Sequence, residues 1–204
     1  LSRVRRCHAR LLGDVRSCLK LVKAMPESEK PVFEVGLSTA FGCTLEGVVP
    51  ESFVVEMAER VLDLGVAEVG LSDTTGMGNP AQLERLLTGI WQRCGDARLS
   101  GVHLHSTGGR GLANALRAVE LVITTLDSSL GGLGGCPFAP GASGNIVTED
   151  LVFMLQSMGY PTGIDLEALL VVRQQVAELL PEEEWFGFTA AAGLPKHFGA
   201  ATLQ

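Results

Sequence analysis

The chain has 204 residues, of which 46% are hydrophobic and 19% charged, a balance typical of a folded globular protein. Its formal net charge of −7 argues against general nucleic-acid binding, because phosphate recognition needs a basic face. There is no run of about 18 uncharged apolar residues, so we predict no membrane span.

Apolar residues recur near the helical period at the start of the chain, which predicts an amphipathic helix over 2–24. Strand-like and helix-like segments then alternate. The predicted strands are 32–38, 66–72, 99–105 and 122–128, and the later predicted helices are 51–64, 80–94, 109–121, 147–158 and 166–180. Because a parallel neighbour requires a crossover connection, this order indicates an α/β fold with four βα units.

A complete TIM barrel has eight strands and usually about 250 residues, so four units predict a partial TIM barrel. We expect one partial-barrel domain over 1–204, with a leading helix (1–30), the βα units (31–160) and a helical tail (161–204). The Trp185 segment of that tail is expected to pack outside the barrel or at a subunit contact.

A histidine pair marks the end of the third predicted strand. His103 and His105 are two residues apart, so on a strand both rings point to one side, roughly 7 Å apart at the backbone. Barrel enzymes keep their sites at this end of the strands. Asn145 adds a hard oxygen, and such an N,N,O set suits Mg²⁺ or Mn²⁺ better than Zn²⁺. The alternative is a pair of satisfied core histidines.

Further candidates lie near the same mouth. Cys136 sits in a glycine-rich loop able to close over a substrate, although a small buried residue in a tight turn is the alternative. Asp73 and Thr74 follow the second strand and serve either the site or a loop hydrogen bond. Glu149 lies one helical turn after Asn145, where it either supports a metal ligand or is simply a first-turn acid that the helix dipole favours.

These residues stand in segments that resemble the 3-hydroxy-3-methylglutaryl-CoA lyase family of metal-dependent TIM-barrel lyases. The resemblance is carried by the HLH strand, by LDSSLGGLGGCPFAPGASGN (126–145) and by TEDLVFML (148–155). FEVGLSTAFGCTLEG (33–47) and GLSDTTGMGNP (70–80) extend it over about residues 30–172.

The resemblance implies a set of roles. It assigns His103, His105 and Asn145 as ligands of a divalent cation, Cys136 as the catalytic cysteine and Asp73 as a supporting site residue. The implied reaction cleaves 3-hydroxy-3-methylglutaryl-CoA to acetoacetate and acetyl-CoA, a step of leucine degradation and ketone-body formation. The expected base is His103 or a metal-linked group, and the expected proton donor is Cys136 or a water that it positions.

The resemblance also implies an acyl-CoA substrate and a homodimer. The family's first strand, with an arginine-aspartate pair used for substrate and metal, has no counterpart here, and Ser106 stands where an aspartate is common. Two alternatives stay open: a related aldolase or synthase acting on 2-oxo or hydroxy acids, and an inactive half-barrel whose open edges lead it to associate. The Cys136 loop favours the lyase.

The expected location is the cytoplasm. The five cysteines are widely spaced with no CxxC pair, unlike a disulfide-stapled secreted domain. The chain begins at Leu1 and not at methionine, so we expect a fragment, and a mitochondrial-matrix location follows if a transit peptide was lost.

Overall fold

The computed structural model describes residues 8–95, 98–135, 144–196 and 198. The strands are β1 (Glu34–Leu37), β2 (Glu68–Ser72), β3 (Leu99–His103) and β4 (Thr125–Asp127). The helices are α1 (His8–Ala24), α2 (Glu51–Leu62), α3 (Pro80–Cys94), α4 (Gly111–Glu120), α5 (Thr148–Ser157), α6 (Leu166–Leu179) and α7 (Phe188–Ala192).

The four strands form one parallel sheet in the order β1-β2-β3-β4. Each strand is joined to its neighbour by a helical crossover, as parallel pairing requires. Among the described residues β1 pairs only with β2, and β4 only with β3, so the barrel is not closed. The predicted α/β fold with four βα units is confirmed.

Helices cover one face of the sheet and bury an aliphatic core. On α3, apolar residues follow the i, i+3, i+4, i+7 spacing of one helix face and are fully buried. They belong to one core cluster with the outward-facing residues of β2 and with α2. The fully buried members include Leu83, Leu86, Leu87, Ile90, Val69, Leu71 and Ala58.

The other face of the sheet looks toward the interior of the open barrel. Gly36, Gly70, Gly101 and Thr125 stand side by side in register across the four strands. Glu34 on β1 reaches across toward Gly70, where an added Cβ would collide with its carboxylate. This inner face is therefore made of small and polar residues and not of hydrocarbon.

The helical tail packs against α5. Both carboxylate oxygens of Asp150 on α5 accept backbone N–H groups at the start of α7, from Thr189 at 2.7 Å and from Phe188 at 2.9 Å. The indole of Trp185 lies against Gly131, and the Phe186 N–H donates to the Gly131 carbonyl at 2.9 Å. Within the described ranges, the helices are all too short or too polar to cross a bilayer.

Candidate metal centre and active site

The carboxyl end of β3 brings the two predicted histidines together. The Nε2 atoms of His103 and His105 lie 3.1 Å apart, and the ring planes are inclined by 69°. His105 is 5% exposed and His103 is half-buried. Two cis ligands at about 2.1 Å from one octahedral cation would stand about 3 Å apart, so this separation fits shared coordination.

The two histidines reach this arrangement by a route that differs from the prediction. β3 ends at His103, because the chain beyond it pairs with the segment around Asn145: the Ile146 N–H donates to the Leu104 carbonyl at 3.1 Å. His105 and Asn145 form an isolated antiparallel bridge. The glycine-rich loop therefore returns beside the histidines, and the rings converge although only one belongs to the strand.

Asn145 has an unsatisfied oxygen at this place. Its Nδ2 donates to the Leu133 carbonyl at 2.9 Å, but its buried Oδ1 has no hydrogen-bond partner. Buried polar atoms are rarely left unpaired, because desolvation costs free energy that only a partner restores. A cation held by Oδ1 and the two imidazoles would satisfy it, so the donor set fits a divalent cation.

The side chains described contain no group of three or more His, Cys, Asp or Glu residues placed to hold a metal. A cation here would therefore depend on a carboxamide as its third protein ligand. This is an N,N,O set with positions open to substrate oxygens or water, as Mg²⁺ and Mn²⁺ prefer.

A carboxylate missed by sequence reasoning flanks His103. Asp127 on β4 pairs in register with His103, and its Oδ2 lies 3.3 Å from Nδ1 of that ring. Both ring nitrogens of His103 thus have neighbours: Nδ1 faces Asp127 and Nε2 faces His105. The signal available in the sequence was the position of Asp127 near the end of the strand that follows the histidine strand.

The Asp73 carboxylate is turned into its own loop. It is fully buried, and its oxygens accept the N–H groups of Met77 at 2.9 Å and Gly78 at 3.0 Å. Burial raises the pKa of Asp73, and these amide hydrogen bonds partly oppose that rise. The Asp73 backbone N–H donates to the His103 carbonyl at 2.8 Å, so this loop is fixed to the histidine strand.

Thr74 and Arg110 also make hydrogen bonds that fix the loop after β2. Thr74 Oγ1 accepts the Thr39 N–H at 3.0 Å, which joins the loops after β1 and β2. Arg110 is exposed, yet its guanidinium donates to the carbonyls of Gly78 at 2.9 Å and Gly76 at 3.2 Å. The contacts of Asp73, Thr74 and Arg110 therefore hold the shape of the mouth.

Glu149 contacts Gly131, near the start of the glycine-rich segment. Its fully buried carboxylate accepts the Gly131 N–H at 3.0 Å and lies 2.8 Å from Nε of Arg173 on α6. Arg173 also stacks over Trp185, 5.4 Å from the ring centroid. Glu149 thus ties the start of the loop to the helical tail.

Cys136, the predicted catalytic cysteine, lies outside the described residues. The two ends of its loop are closely packed, since a Cβ at Gly144 would collide with the Gly132 carbonyl oxygen. The loop therefore starts and finishes beside Asn145.

A cavity of about 160 Å³ opens on the inner face of the sheet. Its lining includes Gly36, Gly70, Gly101, Thr125, His103 and Asp127.

The open parallel sheet of βα units, with a histidine pair at the carboxyl end of its strands, places the protein among the TIM-barrel proteins. The chain belongs to the HMGL-like family, whose family model matches residues 3–176. The predicted family membership and TIM-barrel relationship are confirmed.

Among curated relatives, the chain is 41% identical over 169 residues to the (R)-citramalyl-CoA lyase of Chloroflexus aurantiacus, covering 83% of this chain and 50% of the relative. It is 44% identical over 142 residues to the hydroxymethylglutaryl-CoA lyase YngG of Bacillus subtilis, covering 70% and 47%. The chain thus spans about half the length of these curated relatives.

Among solved structures, an HMG-CoA lyase from Acinetobacter baumannii, in complex with coenzyme A and 3-methylmalate, superimposes with a TM-score of 0.86 at 38% identity. The match covers 97% of this chain and 62% of that one. The described fold therefore matches part of that lyase structure.

Proposed function

We propose that this chain forms the cation-binding part of a divalent-metal-dependent carbon-carbon lyase that cleaves 3-hydroxy-3-methylglutaryl-CoA to acetoacetate and acetyl-CoA. The observation that carries the proposal is the convergence of two imidazole nitrogens, 3.1 Å apart, together with the buried Oδ1 of Asn145, which has no hydrogen-bond partner and belongs to the residue bridged to His105. Family membership and the coenzyme A in a solved relative support the substrate class.

The proposed site holds Mg²⁺ or Mn²⁺ on His103, His105 and Asn145. A divalent cation bound to these residues would supply Lewis-acid stabilisation of the negative charge that develops on the substrate's oxygen atoms. The hydroxyl proton passes to a base, either His103 or a metal-linked group. The bond between the carbinol carbon and the carbon next to the thioester then breaks, its electron pair stays on the latter as the acetyl-CoA carbanion, and the carbinol carbon becomes a ketone. Cys136 returns a proton to the acetyl-CoA carbanion, a role that rests on the family resemblance.

His103 is a candidate both for a cation ligand and for the base that removes the hydroxyl proton. As a ligand it uses Nε2, and its Nδ1 faces Asp127 at 3.3 Å. Acting as base would require one of these nitrogens to leave its neighbour. The ligand role requires no such change, so we propose His103 as a ligand first. Asp73, Thr74 and Glu149 then support the loops around the substrate and do not carry protons to it.

An (R)-citramalyl thioester is the second candidate substrate, because a citramalyl-CoA lyase is among the relatives at 41% identity. It has the same tertiary alcohol next to the carbon that becomes acetyl-CoA, but its cleavage leaves pyruvate in place of acetoacetate. The related aldolase and synthase reactions, on free 4-hydroxy-2-oxo acids, form a third class.

The test combines turnover with metal retention. Each thioester is supplied with and without Mn²⁺, and acetyl-CoA, acetoacetate and pyruvate are measured. Mn²⁺ binding is followed by loss of the free-ion electron paramagnetic resonance signal. His105→Ala and Asn145→Ala should abolish binding, whereas His8→Ala, on the exposed first turn of α1, should leave it unchanged.

The outcomes separate the candidates. Metal-dependent acetoacetate release supports the proposal, and pyruvate release supports the citramalyl thioester. Mn²⁺ retention without turnover indicates an inactive half-barrel, and absence of Mn²⁺ binding contradicts the cation site. The relatives include both mitochondrial and cytoplasmic hydroxymethylglutaryl-CoA lyases, and we propose that this protein is a cytoplasmic homodimer.

A further inference from the structure

We infer that Asp127 is a positioning residue that holds His103 in the tautomer needed for cation binding. The inference extends the proposed function, because it gives a residue outside the ligand set a defined task at the same site. It rests on strand register, on one interatomic distance and on the chemistry of the imidazole ring.

Strand register places the two side chains side by side. His103 and Asp127 are partners in the parallel pairing of β3 with β4, so both point to the inner face of the sheet. The Nδ1 to Oδ2 distance is 3.3 Å. A carboxylate can only accept, so this contact places the ring hydrogen of neutral His103 on Nδ1.

The tautomer decides what the other nitrogen can do. With hydrogen on Nδ1, Nε2 presents a lone pair toward the ring of His105. With hydrogen on Nε2, that atom could only donate, and it could not bind a cation. A free imidazole in water favours the Nε2–H form only modestly, so one carboxylate close to Nδ1 can set the balance between the two forms.

Partners of this kind affect metal affinity strongly in proteins generally, because they fix ring orientation and raise ligand basicity. Asp127 is well exposed, with 63% of its side chain accessible, and can therefore be replaced without leaving a buried charge unpaired. Its substitution should change the state of the ring without unfolding the sheet.

The first experiment reads the tautomer directly. The full chain is labelled with ¹⁵N-histidine, and the ring nitrogens of His103 are observed without metal at about pH 8, where free imidazole is neutral. The chain has 4 histidines, and His103→Gln identifies the signals of interest. Wild-type protein should show the Nδ1–H form, and Asp127→Ala should move His103 toward the Nε2–H form.

The matched control removes the same charge from the same face. Glu34 on β1 lines the same cavity, but it lies two strands from His103, roughly 10 Å across the sheet. Glu34→Gln should leave the tautomer unchanged. Asp127→Asn, which retains an acceptor oxygen, should keep more of the Nδ1–H form than Asp127→Ala.

The second experiment measures Mn²⁺ affinity by the free-ion resonance signal. Asp127→Ala should weaken binding by about 10-fold or more, and Glu34→Gln should have a much smaller effect. An Nε2–H ring in wild-type protein, or a tautomer unchanged in Asp127→Ala, would overturn the inference even if Mn²⁺ binds. If no variant binds Mn²⁺ but the tautomer moves as expected, the positioning role stands and the proposed lyase site fails.

Discussion

The buried ion pair between Glu149 and Arg173 leads to a quantitative prediction about stability. Glu149 is fully buried, Arg173 is 18% exposed, and the shortest N to O distance is 2.8 Å. Coulomb's law at an effective dielectric constant of about 20 gives an attraction of about 6 kcal/mol at this separation. The cost of taking the Arg173 guanidinium out of water offsets part of this attraction. We expect Arg173→Met to lower the free energy of unfolding by about 3 kcal/mol, because the carboxylate stays buried without its counterion.

An exposed pair of equal length provides the control. Arg85 lies 2.8 Å from Glu51, but 57% and 33% of the two side chains are accessible to solvent. Arg85→Met should therefore cause little or no loss. Both variants are compared by urea unfolding, followed by circular dichroism and by tryptophan fluorescence, since Trp185 contacts Arg173.

A second substitution isolates the cause. If the unpaired charge is responsible, Glu149→Gln in the Arg173→Met background should recover part of the stability, because the neutral amide costs less to bury. Equal losses in Arg173→Met and Arg85→Met, or no recovery in the double variant, would refute the reasoning.

Three further predictions concern single positions. Gly131→Ala should lower the free energy of unfolding by about 2 kcal/mol, because its φ of 58° is left-handed and a Cβ would collide with Trp185; thermal unfolding measures it, and an unchanged melting temperature would contradict it. Asp150→Ala should cost about 1 kcal/mol and expose the chain near Phe188 to limited proteolysis, because α7 loses two acceptors for its first N–H groups; a digestion rate equal to wild type would speak against this. Burial raises the pKa of Asp73, so the folded protein binds more protons than the unfolded chain, and the contribution of Asp73 to stability falls as pH rises above the ordinary carboxyl value of 3.8. Asp73→Asn should lack this slope, so the free energy of unfolding of wild type minus that of the variant should fall with rising pH. Parallel stability curves would show that Asp73 does not titrate in this way.

The helices were predicted more closely than the strands. α3 runs over Pro80–Cys94 as predicted, because local signals mark both ends: the Asn79 side chain accepts the Gln82 N–H at 3.0 Å, proline occupies the first turn, and Gly95 has a φ of 89°. Such signals lie within the sequence that forms the helix, so they can be recognised without a tertiary structure.

The start of β4 shows why the strands were predicted to be longer than they are. The prediction began at 122, where apolar and β-branched residues favour a strand, but β4 covers Thr125–Asp127. Val122 has a φ of 65°, and its N–H and that of Ile123 donate to carbonyls of α4. These residues finish the helix, and only the backbone path reveals it.

The histidine pair was predictable because two ligand-type side chains share one short segment. Asp127 was not assigned, since its partner lies on a different strand and their contact depends on register. The Asp73 carboxylate faces its own loop for a related reason: the direction of a side chain after a strand depends on turn geometry, here on the amides of Met77 and Gly78.

The glycine-rich inner surface has a consequence for how an open sheet behaves in water. A sheet face that has no layer packed on it usually exposes apolar side chains, and the hydrophobic effect then favours association. Here Glu34, Gly36 and Thr125 offer water mainly backbone and polar atoms. Within the part of the chain that the structure describes, the outer edges of β1 and β4 have no strand partner, so a polypeptide added as a fifth strand would satisfy more backbone hydrogen-bonding groups than one that filled the cavity.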